Sequence, residues 1–332
     1  MKNFLCALII LSFAGTLEAS PALPDALKPG DCIGILAPAT CADLEDFADS
    51  IKLIESHGYR VKLAPSATSQ YEIFAGTDRK RAEDINNFFA DDEIKAILCV
   101  RGGYGSARIL SRLNYNMIAR HPKIFVGFSD ITALHAVLNE KCNMQTFHGA
   151  MMTTLTNPKL DSEYTRENFF AGLTRTAPVG EIPMPEGLKL ETIAAGEAEG
   201  KIIGGNLTII ASLVGTPYEI NGKGALLFIE EVGEKPYRID RMMNQLWQNG
   251  LLKRVNGIIL GEFKNCGNPE DSDFTVEQIF KHYALLSHKP IIKNVPVGHG
   301  NYNFFLPLGA HAVMKANKDG SASLVIDSPA LK

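Results

Sequence analysis

The chain has 332 residues, of which 45% are hydrophobic and 21% charged, with a formal net charge of -4. This is ordinary globular composition, and the length favours two domains over one. The slight negative charge and the lack of any Lys/Arg block leave no electrostatic footprint for a polyanion, so nucleic acid is not expected as a partner.

The first residues differ from the rest. Lys2 precedes the apolar run Phe4-Leu5-Cys6-Ala7-Leu8-Ile9-Ile10-Leu11, and small residues follow at Ala14, Gly15, Ala19 and Ser20. That layout predicts a secretory signal peptide over 1–19, cleaved after Ala19, and the run is too short to span a bilayer. The plainer alternative is a buried first helix or strand. The expectation is an exported, periplasmic chain with no transmembrane segment, or a cytoplasmic one if the segment is not a cleaved signal. Removing Cys6 leaves Cys32, Cys41, Cys99, Cys142 and Cys266, an odd set at irregular spacing, which is no disulfide framework. No Cys-x-x-Cys pair supports a zinc ribbon or a redox site, and no cofactor is expected.

From Asp31 onward short apolar runs alternate with helical patterns, the signature of a parallel α/β sheet. Cys32 to Ala37 reads as a strand, Leu44 to His57 as a helix and Arg60 to Leu63 as a strand. The helix Asp78 to Phe89, the strand Ala96 to Val100 and the helix Ser106 to Leu113 follow. The strand Ile124 to Val126 and the helix Ile131 to Asn139 complete the pattern. An N-terminal α/β domain is thus expected over 20–173. Pro178, Pro183 and Pro185 mark 174–188 as a linker. Beyond it, strands bounded by glycine (Lys201 to Asn206, Ala225 to Ile229, Gly257 to Gly261) and helical stretches at Leu207 to Leu213 and Arg238 to Leu246 predict a smaller, barrel-like α/β domain over 189–332.

Four segments carry candidate chemistry. In Gly127-Phe128-Ser129-Asp130 a buried strand turns sharply into a helix, so the Ser129 hydroxyl would project from an elbow. The Asp130 N–H would then lie at a helix N-terminus suited to an oxyanion. The competing reading is that Ser129 or Asp130 only caps the helix, since the fuller Gly-x-Ser-x-Gly elbow is absent. In Arg101-Gly102-Gly103-Tyr104-Gly105 the glycines let the backbone approach a ligand. A dinucleotide loop is the rival, but neither Gly-x-Gly-x-x-Gly nor a Walker lysine occurs. Both segments end parallel strands and should face one crevice, making Gly103 a second oxyanion donor.

The third segment, Phe228-Ile229-Glu230-Glu231, puts acids at a strand end, where a carboxylate can orient a histidine; periodicity does not separate Glu230 from Glu231. Glu234 reads as a solvated surface charge. The fourth, Gly298-His299-Gly300, frees the imidazole from neighbouring bulk, as a base requires. The other seven histidines lack such a setting, and the missing His-Glu-x-x-His disfavours a zinc peptidase.

Taken in order, these segments resemble the L,D-carboxypeptidase family of serine peptidases, the muramoyltetrapeptide carboxypeptidases, which includes the microcin C immunity peptidases. The likeness runs from Ile35-Leu36-Ala37-Pro38 through Phe74-Ala75-Gly76-Thr77, Gly204-Gly205-Asn206-Leu207 and Leu213-Val214-Gly215-Thr216-Pro217 to Leu306-Pro307-Leu308-Gly309. It implies a triad of Ser129, His299 and Glu230, which selects Glu230 over Glu231, with oxyanion donors at Gly103 and Asp130. It also implies homodimers, no metal, and a murein peptide substrate that loses its terminal D-alanine. Arg101 is a candidate for the free carboxylate, with an ion-pair role as its alternative, and Tyr104 and Asn206 are further candidate contacts. Thr40 stands two residues after Pro38, where the family often has serine following the proline. Two other readings stay open at this point: a peptidase cleaving peptidyl-nucleotide antibiotics, and an exported solute-binding protein.

Overall fold

The apolar runs that precede glycine-rich loops become the centre of two sheets. The computed structural model describes residues 21–157, 162–267 and 274–332, so the signal peptide expected over 1–19 lies outside the described residues. The N-terminal sheet contains β1 (Cys32–Leu36), β2 (Arg60–Leu63), β3 (Ile94–Cys99), β4 (Ile124–Gly127) and β5 (Thr146–His148). Its core strands β1, β3 and β4 are buried almost throughout, as parallel strands covered on both faces must be.

The second sheet is built from β6 (Gly180–Glu181), β7 (Glu191–Ala194), β8 (Gly196–Asn206), β9 (Leu226–Val232), β10 (Gly257–Lys264) and β11 (Ile291–Lys293). After β12 (Leu306–Leu308) it is completed by β13 (His311–Ala316) and β14 (Ala322–Ile326). Its order is β6-β14-β13-β8-β9-β10-β11-β7, parallel from β8 to β11 and antiparallel elsewhere. The sheet curls on itself: the Thr192 N–H donates to Gly320 O, and Glu191 bridges to Ser321. Ile202, Phe228, Ile259, Ile292, Met314 and Leu324 fill the inside. The architecture is therefore two-domain α/β, with a mostly parallel six-stranded sheet followed by a mixed, barrel-like eight-stranded one.

Two strands cross the division expected at 174–188. β6 lies inside that stretch and pairs with β14, while β12, from late in the chain, pairs with β5 and completes the N-terminal sheet in the order β12-β5-β4-β3-β1-β2. The halves also share a core, in which Phe128, Leu134 and Leu138 belong to the same apolar cluster as Ile203, Leu207, Ile229 and Met243. An apolar interface of this kind opposes independent motion of the two halves.

Local differences from the expected elements have local causes. Residues Ser106–Arg112 form a 3-10 rather than an α-helix. Both ends are tied: the Ser106 N–H donates to Asp130, and Asn86 binds both Arg112 O and Asn114 N–H. A 3-10 helix rises about 2.0 Å per residue against 1.5 Å, so it spans the same gap with fewer residues. Among the described residues no helix is long and apolar enough to cross a membrane. Among the described residues the five cysteines are free thiols.

Candidate active site

The turn after β4 carries the first candidate. Ser129 has φ +64°, a left-handed conformation that a side chain adopts only when its surroundings impose it. Its hydroxyl makes no hydrogen bond among the described residues, and no side-chain cap is made at this helix start, so Ser129 is not a helix cap. Asp130 is not one either. Its buried carboxylate accepts from the Ser106 N–H at 2.8 Å, which ties the elbow to the end of the glycine loop. Burial raises the Asp130 pKa, and the bonds from Ser106 oppose that rise.

The elbow is braced from beneath. His135, on the helix Thr132–Cys142, donates Nε2–H to Gly127 O at 2.8 Å, and burial pulls its pKa down to about 4, so it is a neutral structural donor. Thr132 Oγ1 accepts from the Asn206 N–H at 2.9 Å and thereby joins this helix to the end of β8. A Cβ at Gly205 would lie 2.4 Å from that same Thr132 oxygen, which explains why the β8 end needs glycine.

The glycine loop is wired by a buried arginine. Arg81, 0% exposed, donates to the carbonyls of Gly76, Pro38 and Gly105 and pairs with Asp78 at 2.5 Å. Thr40 Oγ1 accepts from the Tyr104 N–H at 3.0 Å, and Gly103 packs on the same Thr40 side chain. Gly102, not Gly103, is the glycine that faces the serine. A Cβ there would sit 2.9 Å from Ser129 Cβ and 3.2 Å from both Ser129 Oγ and Asp130 N. The missing side chain therefore lets the loop lie directly against the serine elbow.

The opposite wall comes from the second sheet. Asn206 and Glu230 are in parallel register at the ends of β8 and β9, and adjacent residues of a strand point to opposite faces. Glu230, 0% exposed, places Oε2 2.6 Å from His299 Nδ1, which donates its hydrogen to the carboxylate. Glu231 turns the other way and accepts from Asn206 Nδ2, from the N–H and hydroxyl of Thr208 and from the Val232 N–H. His299 packs edge-on to Phe128, the residue before Ser129, with ring centroids 4.8 Å apart. The two are thus neighbours across the domain interface, although no hydrogen bond joins Ser129 to His299. Such bonds are commonly long without substrate. Burial pulls the His299 pKa down, but the charge and hydrogen bond of Glu230 outweigh it, and the net shift is upward.

The substrate-contact candidates have different settings. Arg101 is half-buried and makes no hydrogen bond or ion pair among the described residues, while Tyr104 is 53% exposed at the rim. Asn206 is buried: Oδ1 caps the helix Leu207–Leu213 and Nδ2 binds Glu231, which gives it a structural task. Sequence reasoning passed over Gly102, His148 and Glu262. Glu262 lies so close to Gly300 that a Cβ there would overlap its carboxylate, and burial pushes its pKa up to about 7. Both His148 and Glu262 follow apolar strand residues, the same signal that singled out Glu230. Among the described residues, no group of three or more His, Cys, Asp and Glu side chains is placed to hold a metal ion.

The family model described as the LD-carboxypeptidase N-terminal domain matches residues 33–149, and that of the LD-carboxypeptidase C-terminal domain matches residues 199–314. The chain is 36% identical to a probable murein peptide carboxypeptidase of Bacillus subtilis (strain 168), over 93% of this chain and 97% of that one. It is 30% identical to a murein tetrapeptide carboxypeptidase of Pseudomonas aeruginosa, over 86% of this chain and 94% of the relative. Among solved structures, an MccF-like protein from Bacillus anthracis str. Ames superposes with a TM-score of 0.82 at 28% identity, covering 92% of this chain and 99% of that one.

Proposed function

The chain belongs to the LD-carboxypeptidase family of serine hydrolases, and from that premise we propose that it removes the terminal D-alanine from murein tetrapeptides. The observation that carries this reading is the buried Glu230 carboxylate at 2.6 Å from His299 Nδ1, in an imidazole packed against the Ser129 elbow. Glu230 fixes the tautomer and leaves Nε2 to take a proton.

In this mechanism Ser129 Oγ attacks the carbonyl carbon of the bond to D-alanine as His299 Nε2 accepts the hydroxyl proton. Glu230 stabilises the imidazolium that results. The oxyanion is met by the N–H groups of Asp130 and of the glycine loop, Gly103 included. His299 returns its proton to the amine of the departing D-alanine. Water then attacks the acyl-serine, with His299 again as base, and releases the shortened peptide. The free guanidinium of Arg101 is the partner for the terminal carboxylate, and Tyr104 borders the entrance.

Incubating the purified protein with a murein tetrapeptide and following free D-alanine tests this. Release by wild type and none by Ser129→Ala is expected; undiminished release by that variant, or none by wild type, refutes it. The likeness to the MccF-like protein favours a second reading, a peptidase for peptidyl-nucleotide conjugates, and parallel assays of both substrates decide between them. Membership of a hydrolase family sets aside the solute-binding reading. We further propose that the chain acts after export, as a homodimer; an N-terminus of Met1 or Lys2 on protein from its native cell, or a monomeric mass in solution, counts against the respective part.

A further inference from the structure

Glu230 has two carboxylate oxygens, and only one has a partner. Oε2 accepts from His299, whereas Oε1 is buried with no hydrogen bond. At 4.0 Å from Oε1 lies Nε2 of His148, whose two ring nitrogens are buried and complete no hydrogen bond of ordinary geometry, with the Asn303 side chain the other polar group near the ring. Both side chains are fully shielded from solvent. Buried polar atoms are nearly always paired, so two such groups facing each other are natural partners for one another.

The imidazole is held in that direction. Its ring meets Phe228 edge-on with centroids 5.2 Å apart and lies 5.6 Å from Phe128. Its backbone stands opposite Gly127 of β4 and Leu306 of β12. His148 therefore sits on the strand beside the one that delivers Ser129 and points at the acid of the other domain. Burial keeps the ring neutral, with one nitrogen carrying hydrogen and the other a lone pair. With the hydrogen on Nε2, an approach of about 1 Å brings it to hydrogen-bond distance from Oε1.

We propose that His148 is a positioning residue: its Nε2–H holds Oε1 of Glu230, so that Oε2 stays on His299 and the two halves of the site keep register. This rests on the triad reading given above. His148 touches neither substrate nor reacting atoms and acts only through Glu230. A carboxylate held at one oxygen can swing about its last side-chain torsion, which turns the imidazole with it; one held at both oxygens cannot.

Three substitutions test it. His148→Phe keeps the ring packing without a donor, His148→Asn places its amide too short to reach Glu230, and His148→Gln carries a neutral N–H near the original Nε2. In D-alanine release, His148→Phe and His148→Asn should lower kcat about 10- to 100-fold with KM little changed, and His148→Gln should recover most of the loss. A second readout needs no substrate: the short Nδ1–H bond of His299 gives a far-downfield proton resonance. It should be present in wild type and His148→Gln and lost or moved upfield in the other two, with melting curves identifying any variant that fails to fold. Wild-type kcat and an unmoved resonance in folded His148→Phe or His148→Asn overturn the proposal. If wild type releases no D-alanine but the resonance follows this pattern, the positioning role is upheld and only the substrate reading falls.

Discussion

His299 Nδ1 and Glu230 Oε2 stand 2.6 Å apart although 69 residues separate them in the chain. The contact is between a loop and a strand end of the same domain, and it is aimed at a serine supplied by the other. Glu231, one residue on, faces away and is occupied by four hydrogen bonds. Replacing each acid by its amide should therefore give opposite phenotypes. Glu230→Gln is expected to lower kcat by about 10⁴-fold in a folded protein, because the amide no longer enforces the tautomer. Glu231→Gln sets an N–H₂ against donors and should cost about 1–3 kcal/mol of stability while the folded fraction stays active. Steady-state kinetics and denaturant titrations of the pair check both halves.

The base must be neutral to work, so activity should rise with pH as His299 loses its proton. Its pKa is held above the ordinary 6.5, since Glu230 and, more weakly, Glu231 and Glu262 outweigh the effect of burial. The acid limb of kcat/KM should accordingly lie above pH 6.5. Burial lifts Glu262 itself to about 7, so it is only partly charged on this limb, and Glu262→Gln should move the limb slightly to lower pH. A limb that moves upward in this variant contradicts the assignment.

Gly102 has no positive φ, yet alanine there is not neutral, because its Cβ would sit 2.9 Å from Ser129 Cβ and push on the elbow. The same methyl group would lie 3.2 Å from both Ser129 Oγ and Asp130 N. Gly102→Ala should therefore displace the elbow, lower the melting temperature and lose about 10²- to 10³-fold in kcat, the scale of one lost oxyanion donor. A variant with normal turnover would move the oxyanion site elsewhere.

Arg81 has no direct role in the chemistry but binds three loops that surround it. Arg81→Met removes the donors and leaves those buried carbonyls and Asp78 without it. Asp78 is part-exposed and keeps Arg108, so the cost comes from the buried carbonyls left without donors, about 1–3 kcal/mol each before relaxation. Equilibrium urea unfolding measures it; a change under 1 kcal/mol would mean that the loops hold themselves.

Arg101 should behave in the opposite way, affecting substrate and not fold. With no partner of its own to lose, Arg101→Met should leave stability unchanged and raise KM for the tetrapeptide. That loss should vanish when the terminal carboxylate of the substrate is replaced by an amide. Equal effects on both substrates would assign Arg101 another task.

Much of this was legible before folding. The strand-helix alternation of the first half follows from apolar spacing, and the Ser129 turn from a buried run meeting glycine and then a helix start. Local reasoning did not reach β12, which is short and pairs with a sheet built far earlier in the chain. Nor did it separate the glycines of the loop, because which one faces Ser129 depends on how Thr40 and Asp130 grip its ends. His148 and Glu262 show the same limit: each ends an apolar run, but only a partner from another segment reveals what the side chain meets.

By itself the sequence determined the alternation of elements, the elbow at Ser129, the pliable loop from Arg101 to Gly105 and the acids at the end of β9, since apolar periodicity and backbone freedom are properties of neighbouring residues. Its ordered motifs also pointed to the family. Only the tertiary structure decided how Glu230 reaches His299 while Glu231 turns away, that Gly102 is the glycine against the serine, that Asn206 caps a helix, and that His148 stands 4.0 Å from the free oxygen of Glu230. The reason is directional. A strand sends successive side chains to opposite faces, and which face becomes the site is set by the packing of the two sheets against each other.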